Sequence, residues 1–503
     1  MLIIMADDLG YSDIGRYGSE IATPNLDSLA RDGCTFTHAY NAARCCPSRA
    51  ALLTGLHPHQ AGMGAMTSPP DRVVPEGPYQ GYLNRNCMTL AEALKTAGYR
   101  TYMSGKWHVG AARENWPRQR GFDRYFGLIS GASSYWEILP EERDVRTMAL
   151  DDDVYVPSGD TFYMTDAFTD HAVQFLKEHD TSTSPFLLYL AYTAPHWPLH
   201  AWEQDIAKYR DRYLSGWDAL REERYKRQLD LGIIAPKWKL SPRDEQVPAW
   251  GSVTNKEDWA LRMAVYAAMI DRMDQGIGRV LQTLLETGAE DNTLVLFLSD
   301  NGGCHEDLNK KTFNKPGSKP GERGSYVAYE RPWANASNTP FRMFKHWVHE
   351  GGIATPMLAR WPAGSAKRTQ PLSDVVHITD IMATCLDLAG VEYPKTYNGN
   401  ALHPLVGKSV APLLRGKSRE GHARLCWEHQ GNCAIREGDW KLVIPARGAW
   451  ELYNLADDRT ELTNLVEKDA KRAARMHTAW MQWADENGVK IPDEARNLSS
   501  APA

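Results

Sequence analysis

The sequence has no Cys-x-x-C pair anywhere along its 503 residues, so it lacks both the ligand spacing of zinc ribbons and the thioredoxin redox motif. It has no apolar run near the roughly 18 residues that a membrane-spanning helix requires. No basic segment leads into an apolar core at the start, as a signal peptide would. Charge of one sign is scarce too: the net value of -6 is spread thinly, and no basic stripe marks a nucleic-acid binder. Internal repeats and low-complexity tracts are also missing. What is present, 43% hydrophobic and 24% charged residues, is the composition of a globular protein. The length exceeds one compact core, which predicts two domains or one large domain with an appendage.

Apolar β-rich runs alternate with helical patterns for about 400 residues of the sequence. The stretches MLIIMA, RTYMSG, PFLLYLAY, TLVLFLSD and MLARWP read as buried strands. PNLDSLARDG, TLAEALKTAGY, TDAFTDHAVQFLKEH and DVVHITDIMATCLDLAG read as helices. Such alternation predicts an α/β fold, a large and mostly parallel sheet with helices on both faces. A long helix is expected from Asn255, as N-cap, to a stop at Gly288, with its Met and aromatic stripe serving as core. Two irregular segments interrupt the pattern, at about 200–258 and 303–340. Past residue 417 the style changes to short antiparallel strands and a closing helix. The expected division is therefore 1–417 and a smaller α+β unit over 418–503.

Two strands end in acidic pairs, Asp7–Asp8 and Asp300–Asn301. In open α/β sheets ligands sit beyond the carboxyl ends of strands. Oxygen ligands converging there suit Ca²⁺ or Mg²⁺ rather than zinc. Each acid on its own could equally cap the next helix or turn. Of the eight cysteines, 34, 45, 46, 87, 304, 385, 426 and 433, the adjacent pair Cys45–Cys46 opens a small-residue helix. Cys426 and Cys433 flank a hairpin and are candidates for a bridge, while free buried thiols are the simpler reading of most.

Residues 45–55, CCPSRAALLTG, match Cys-x-Pro-Ser-Arg-x-x-x-Leu-Thr-Gly without a gap. This resembles the signature of the formylglycine-dependent sulfatases of the alkaline phosphatase superfamily, in which the first cysteine is oxidised to Cα-formylglycine. Register assigns that role to Cys45, because starting from Cys46 leaves no residue before Pro47. MADDLGYSDIGRYG, ATPNLDSLARDG, GYRTYMSGKWHVG, APHWPLHA, LSDNGG, FKHWVHEGGIATPM and WELYNLADDRTELTNL each resemble a block of that family, in the family's order. The stretch from Gly216 to Asp244 is similar to the arylsulfatase branch.

The resemblance implies hydrolysis of aryl or carbohydrate sulfate monoesters. It assigns Asp7, Asp8, Asp300, Asn301 and the modified Cys45 to a divalent cation, usually calcium, and places Arg49 beside the cluster. Lys106 becomes a sulfate clamp and His108 the base that deprotonates the aldehyde hydrate. His196 becomes the acid for the leaving alcohol, and Lys345 a contact to sulfate and leaving oxygen. Lys106 and His108 stand two apart, the spacing of one strand face. An aldehyde hydrate suits the task because one hydroxyl attacks sulfur and loss of the other's proton re-forms the aldehyde and expels sulfate. The resemblance also implies a formylglycine-generating or equivalent maturation enzyme as partner. Export to a periplasmic or secreted location follows family habit, with a missing leader, and the cytoplasm is the alternative. Two other readings remain open: a phosphonate or phosphate ester hydrolase of the same superfamily, and a catalytically silent sulfoglycan-binding homologue. His200, His305, His346 and His349 have no supporting block. Trp136, Trp197, Trp202 and Trp333 are expected near the mouth, able to stack on an aryl ring or sugar.

Overall fold

The computed structural model describes residues 1–69, 74–143, 145–308, 313–366, 368 and 370–498. Its centre is a ten-stranded sheet made of β1 (Leu2–Ala6), β2 (Cys34–Tyr40), β3 (Arg100–Gly105), β4 (Arg124–Leu128), β5 (Met148–Leu150), β6 (Asp153–Tyr155), β7 (Phe186–Ala191), β8 (Val295–Ser299), β9 (Ala354–Arg360) and β10 (Val376–His377). The spatial order is β10-β2-β9-β8-β1-β7-β3-β4-β5-β6. From β8 through β1, β7 and β3 to β4 every pairing is parallel. β9 runs antiparallel between β8 and β2, and β5 and β6 close the far edge as antiparallel ribbons.

Strand periodicity divides the interior into two cores. Leu2, Ile4 and Ala6 of β1 face one side, with Val295 and Phe297 of β8 and the helices Met164–Glu178 and Lys256–Glu286. Ile3 and Met5 face the other, with Leu296 and Leu298 and the helices Cys45–Thr54, Leu90–Lys95 and Asp380–Ala389. Burial on both faces is why these strands read as unbroken apolar runs.

A two-stranded hairpin, β11 (Thr396–Tyr397) and β12 (Asn400–Ala401), leads toward a four-stranded antiparallel sheet. That sheet comprises β13 (Leu425–His429), β14 (Asn432–Glu437), β15 (Trp440–Ile444) and β16 (Glu451–Asn454). Here alternation is clean. Leu425, Trp427, Ala434, Val443 and Tyr453 pack into the main core. Cys426, Ile435, Leu442 and Leu452 pack against Met476 and Trp480 of the helix Ala470–Glu486. Cys426 and Cys433 are both buried and free, as are the other six cysteines.

Several local expectations are corrected. The run 374–390 is not one helix: its β-branched start forms β10, and the helix begins at Asp380, whose carboxylate accepts from His377 N at 3.1 Å. Segment 303–340 ends in a helix, Glu330–Ser337, because Pro332 falls in the first turn, where no donor is needed. Its residues 309–312 lie outside the described set. The charged helix of segment 200–258 covers only Gly216–Asp230. The long helix lacks a side-chain cap from Asn255, although Gly288 stops it in the left-handed region. Among the described residues, no helix is long and apolar enough to cross a membrane.

Candidate active site

β1 and β8 are parallel neighbours in register, with Ala6 beside Ser299. Their C-terminal ends therefore deliver Asp7–Asp8 and Asp300–Asn301 to one place. All four side chains are fully buried. Asp8 N donates to Asp300 Oδ1 at 3.3 Å and Asn301 Nδ2 to Asp8 Oδ1 at 2.7 Å. Burial first, then the neighbouring Asp300 carboxylate, pushes Asp7 up to about 7. Burial raises Asp300 as well. Three clustered carboxyl groups thus lack solvation and call for positive charge.

Arg49 supplies part of it. It lies on the helix that starts at Cys45, one turn on, and is fully buried. Its Nη2 and Nε donate to Asp300 Oδ2 at 2.8 and 3.1 Å, and its Nη1 to Lys106 O at 2.9 Å. Lys106 Nζ meets Asp7 Oδ2 at 2.5 Å. Lys345 Nζ reaches Asp8 at 2.8 Å, and His196 Nε2 lies 3.4 Å from Asp8. His196 Nδ1 sits 2.6 Å from the Trp197 carbonyl. A carbonyl only accepts, so Nδ1 carries the proton, and Nε2 faces Lys345 Nζ at 3.3 Å.

Cys45 lines this space with His108, His196 and Lys345, in a cavity of about 120 Å³. A hydrogen bond from Cys46, then the charge of Lys106 and a hydrogen bond with His108, hold the Cys45 thiol well below the ordinary thiol range despite burial. Burial pushes His108 down to about 4, so its imidazole is neutral near pH 7. The structure thus brings together every residue assigned to the site, Asp7, Asp8, Cys45, Arg49, Lys106, His108, His196, Asp300, Asn301 and Lys345.

The strand-face argument for Lys106 and His108 is corrected. β3 ends at Gly105, and His108 sits in the left-handed region at φ 58. Asp8, Ala43 and His346 also have positive φ. Such non-glycine outliers cost of order 1–3 kcal/mol each, and of these His108 lines the cavity. Gly131 has no room for a side chain: a Cβ there would meet the His108 ring at 2.4 Å.

Of the four tryptophans expected at the mouth, only Trp197 lines the cavity. Trp333 is fully buried against Trp217. Trp136 packs on Tyr163 and Trp202. His200 accepts at Nδ1 from Tyr135 N and donates through Nε2 to Ser325 O, and His349 pairs with Glu451. Sequence reasoning missed Arg44 and Glu306, which line the same cavity and pair at 2.8 Å. Their adjacency to Cys45 and to the Asp300–Asn301 loop was the available signal.

The donor set fits a hard cation. Asp7 Oδ1 and Asn301 Oδ1 are buried acceptors without a hydrogen-bond donor, and the ligand atoms of Asp7, Asp8 and His196 lie within 4.8 Å of one another.

Comparison with known proteins gives one consistent result. The family model Sulfatase matches residues 1–391, and the model for the C-terminal part of N-sulphoglucosamine sulphohydrolase matches 341–483. The chain is 35% identical to an uncharacterised sulfatase of Schizosaccharomyces pombe, over 98% of this chain and 95% of that protein. It is 33% identical to an arylsulfatase of Klebsiella aerogenes, over 84% of this chain and 94% of that protein. The crystal structure of Ps i-CgsB in complex with k-i-k-neocarrahexaose superposes with TM-score 0.71 at 26% identity, covering 97% of this chain and 92% of that one.

Proposed function

This chain belongs to the sulfatase family, and we propose that it hydrolyses sulfate monoesters of aryl or carbohydrate alcohols through residue 45, matured from cysteine to formylglycine. As a family member it is a sulfuric ester hydrolase. The observation that carries the finer reading is the meeting of four buried oxygen donors with Arg49, Lys106 and Lys345, beside a cavity that residue 45 and Lys345 line.

Asp7, Asp8, Asp300, Asn301 and residue 45 would hold a calcium ion, with magnesium as the alternative. When bound, the ion offsets sulfate charge and lowers the pKa of an attached hydroxyl. The matured residue 45 supplies two hydroxyls on one carbon, one to attack sulfur and one whose deprotonation releases sulfate. Arg49, fixed on Asp300 and on the Lys106 carbonyl, keeps the mouth of the helix aligned with the acids. Lys106, held on Asp7, and Lys345, held on Asp8, orient the sulfuryl oxygens. His108, neutral near pH 7, takes the proton from the residue 45 side chain. His196 presents Nε2 to the departing oxygen; because its Nδ1 proton is committed to a carbonyl, the ring must first take a second proton at Nε2 and then passes that proton on. Maturation requires a formylglycine-generating or equivalent enzyme. The site asks for export no more than for retention, and we propose a periplasmic or secreted location from the habit of the family.

The test is sulfate release from an aryl sulfate and from sulfated monosaccharides, compared with the phosphonate analogue of the aryl ester. Sulfate turnover should dominate, disappear after calcium chelation, and return with calcium. Phosphonate turnover exceeding it by orders of magnitude would replace this reading with a phosphonate hydrolase.

A further inference from the structure

Cys46 takes no part in the chemistry proposed for the site, yet it is fully buried on the helix that Cys45 opens. The Cys45 and Cys46 sulfurs and a ring nitrogen of His108 lie within 4.8 Å of one another. All three side chains are buried, and both sulfurs are free thiols. His108 Nδ1 finds no hydrogen-bond partner among the described residues. The two sulfurs are chain neighbours, but the imidazole arrives from elsewhere, on the loop after β3, where His108 takes a left-handed turn at φ 58. Gly131 leaves the ring its room, since a Cβ there would meet it at 2.4 Å.

Two thiolates and an imidazole are the donors of a zinc-type ion, which takes sulfur at about 2.3 Å and nitrogen at about 2.0–2.1 Å. Tetrahedral coordination at those lengths spaces neighbouring donors by about 3.5–3.8 Å, so a contraction of about an ångström closes this set around an ion. A fourth ligand has space: Cys45 and His108 line the cavity of about 120 Å³, ample for a water. Two thiolates offset the two charges of the ion, their protons passing to solvent, so the loaded group is neutral. The acids of the site offer only oxygen and suit a hard cation, so the two donor sets sort metals by softness.

The geometry points to a second metal site, Cys45–Cys46–His108, which takes a thiophilic dication such as Zn²⁺ in the folded chain whose residue 45 is still cysteine, and which maturation dismantles. Conversion to formylglycine removes the sulfur of residue 45 and leaves Cys46 and His108, two ligands in place of three. Residue 45 thus belongs to the soft set as a thiol and to the hard set once matured. A chain that folds before conversion is then held as a metal-loaded, inactive form. The inference takes from the sulfatase reading only the conversion of residue 45; metal binding by the thiol form stands or falls without it.

The test uses the full chain produced without a maturation enzyme, its thiol at residue 45 verified by peptide mass. Co²⁺ serves as the spectroscopic probe, with excess Ca²⁺ present to fill the oxygen site. We expect one cobalt per chain, with thiolate-to-cobalt charge transfer in the near ultraviolet and tetrahedral bands in the visible, displaced by Zn²⁺ and not by further Ca²⁺. Loss of even an outer partner of a metal ligand typically costs 10–100-fold in affinity, so Cys46→Ser should weaken binding by at least about tenfold. His108→Ala, at a side chain that lines the cavity, should do the same and decides the matter if Cys46→Ser does not fold. The matured protein should lose the charge-transfer band. A folded thiol form without the band, a band and affinity unchanged in the folded variants, or full cobalt binding by the matured protein overturns the inference and leaves the sulfatase reading standing. Cobalt binding by the thiol form together with no sulfate release from the matured protein upholds the inference and overturns that reading instead.

Discussion

At the scale of single residues, the two adjacent thiols do different work. Cys45 faces the cavity beside His108, whereas Cys46 is fully buried behind it. Cys45→Ala should abolish sulfate release, while Cys46→Ser should keep it within about tenfold. Mass spectrometry of the peptide spanning residues 44–49 should find an aldehyde in place of the Cys45 CH₂SH group and an intact thiol at 46. Removing a positioned general acid typically costs 10²–10⁴-fold. His196→Ala should therefore lose about that much on alkyl or sugar sulfates and far less on nitrophenyl sulfate, whose leaving oxygen needs no proton. Equal losses on both would mean that His196 only binds. The motif residues were readable because their chemistry demands fixed spacings, Cys45 to Arg49 above all. Glu306 was not, because its meaning comes from Arg44 and Trp197, which are distant in sequence and adjacent only after folding.

At the scale of elements, strands buried on both faces announced themselves, as in β1, β7 and β8, where every residue is buried. The ribbons β5 and β6 did not: they are three residues each, and Val154 is exposed, so neither periodicity nor length marks them. The turn after β3 shows why the loop carrying Lys106 and His108 can enter the site. Gly105 has φ 124, and a Cβ there would meet Ala191 O of β7 at 1.9 Å. Gly105→Ala must spread β3 from β7 just before Lys106. We expect a lower unfolding temperature and at least tenfold lower kcat/KM, both measured against Gly98→Ala, at a positive-φ turn where a Cβ meets nothing. Intact activity in Gly105→Ala would show that the loop is held by other contacts.

At the scale of the molecule, the second sheet is fastened to the first through buried charge. Glu350, just before β9, binds Lys441 of β15 at 3.0 Å and Arg459 at 2.8 Å, and accepts from Tyr40 of β2 at 3.0 Å. Arg459 also donates to Thr37 O at 2.7 Å. Burial opposes ionisation of Glu350, but Lys441, Arg459 and Arg436 prevail and hold its pKa at about 2, below the ordinary 4.5. Folding therefore favours the ionised form, with its stabilisation complete above pH 4.5 and lost as the pH falls through about 2. Glu350→Gln should lower stability at pH 7 by about 3–5 kcal/mol, the usual cost of orphaning a buried partner. Urea titrations should show that deficit narrowing from pH 4.5 downward, and a constant deficit would mean that the charge is not the cause. The short antiparallel strands that form the second sheet were legible from strand length and turn spacing. This fastening was not, since Glu350, Lys441 and Arg459 lie far apart in sequence and meet only after folding.

Trp427 of β13 also donates to Asn41 O at 2.8 Å, four residues ahead of Cys45. The tail thereby underpins the backbone that presents the maturing cysteine. A ribosome has released the Cys45 segment long before Trp427 is made, so conversion during synthesis would meet residue 45 as unfolded chain. The same hold makes the last eighty or so residues a keystone, and grafting a relative's tail would ask for its anchoring partners on β2 and in the turn before β9 as well.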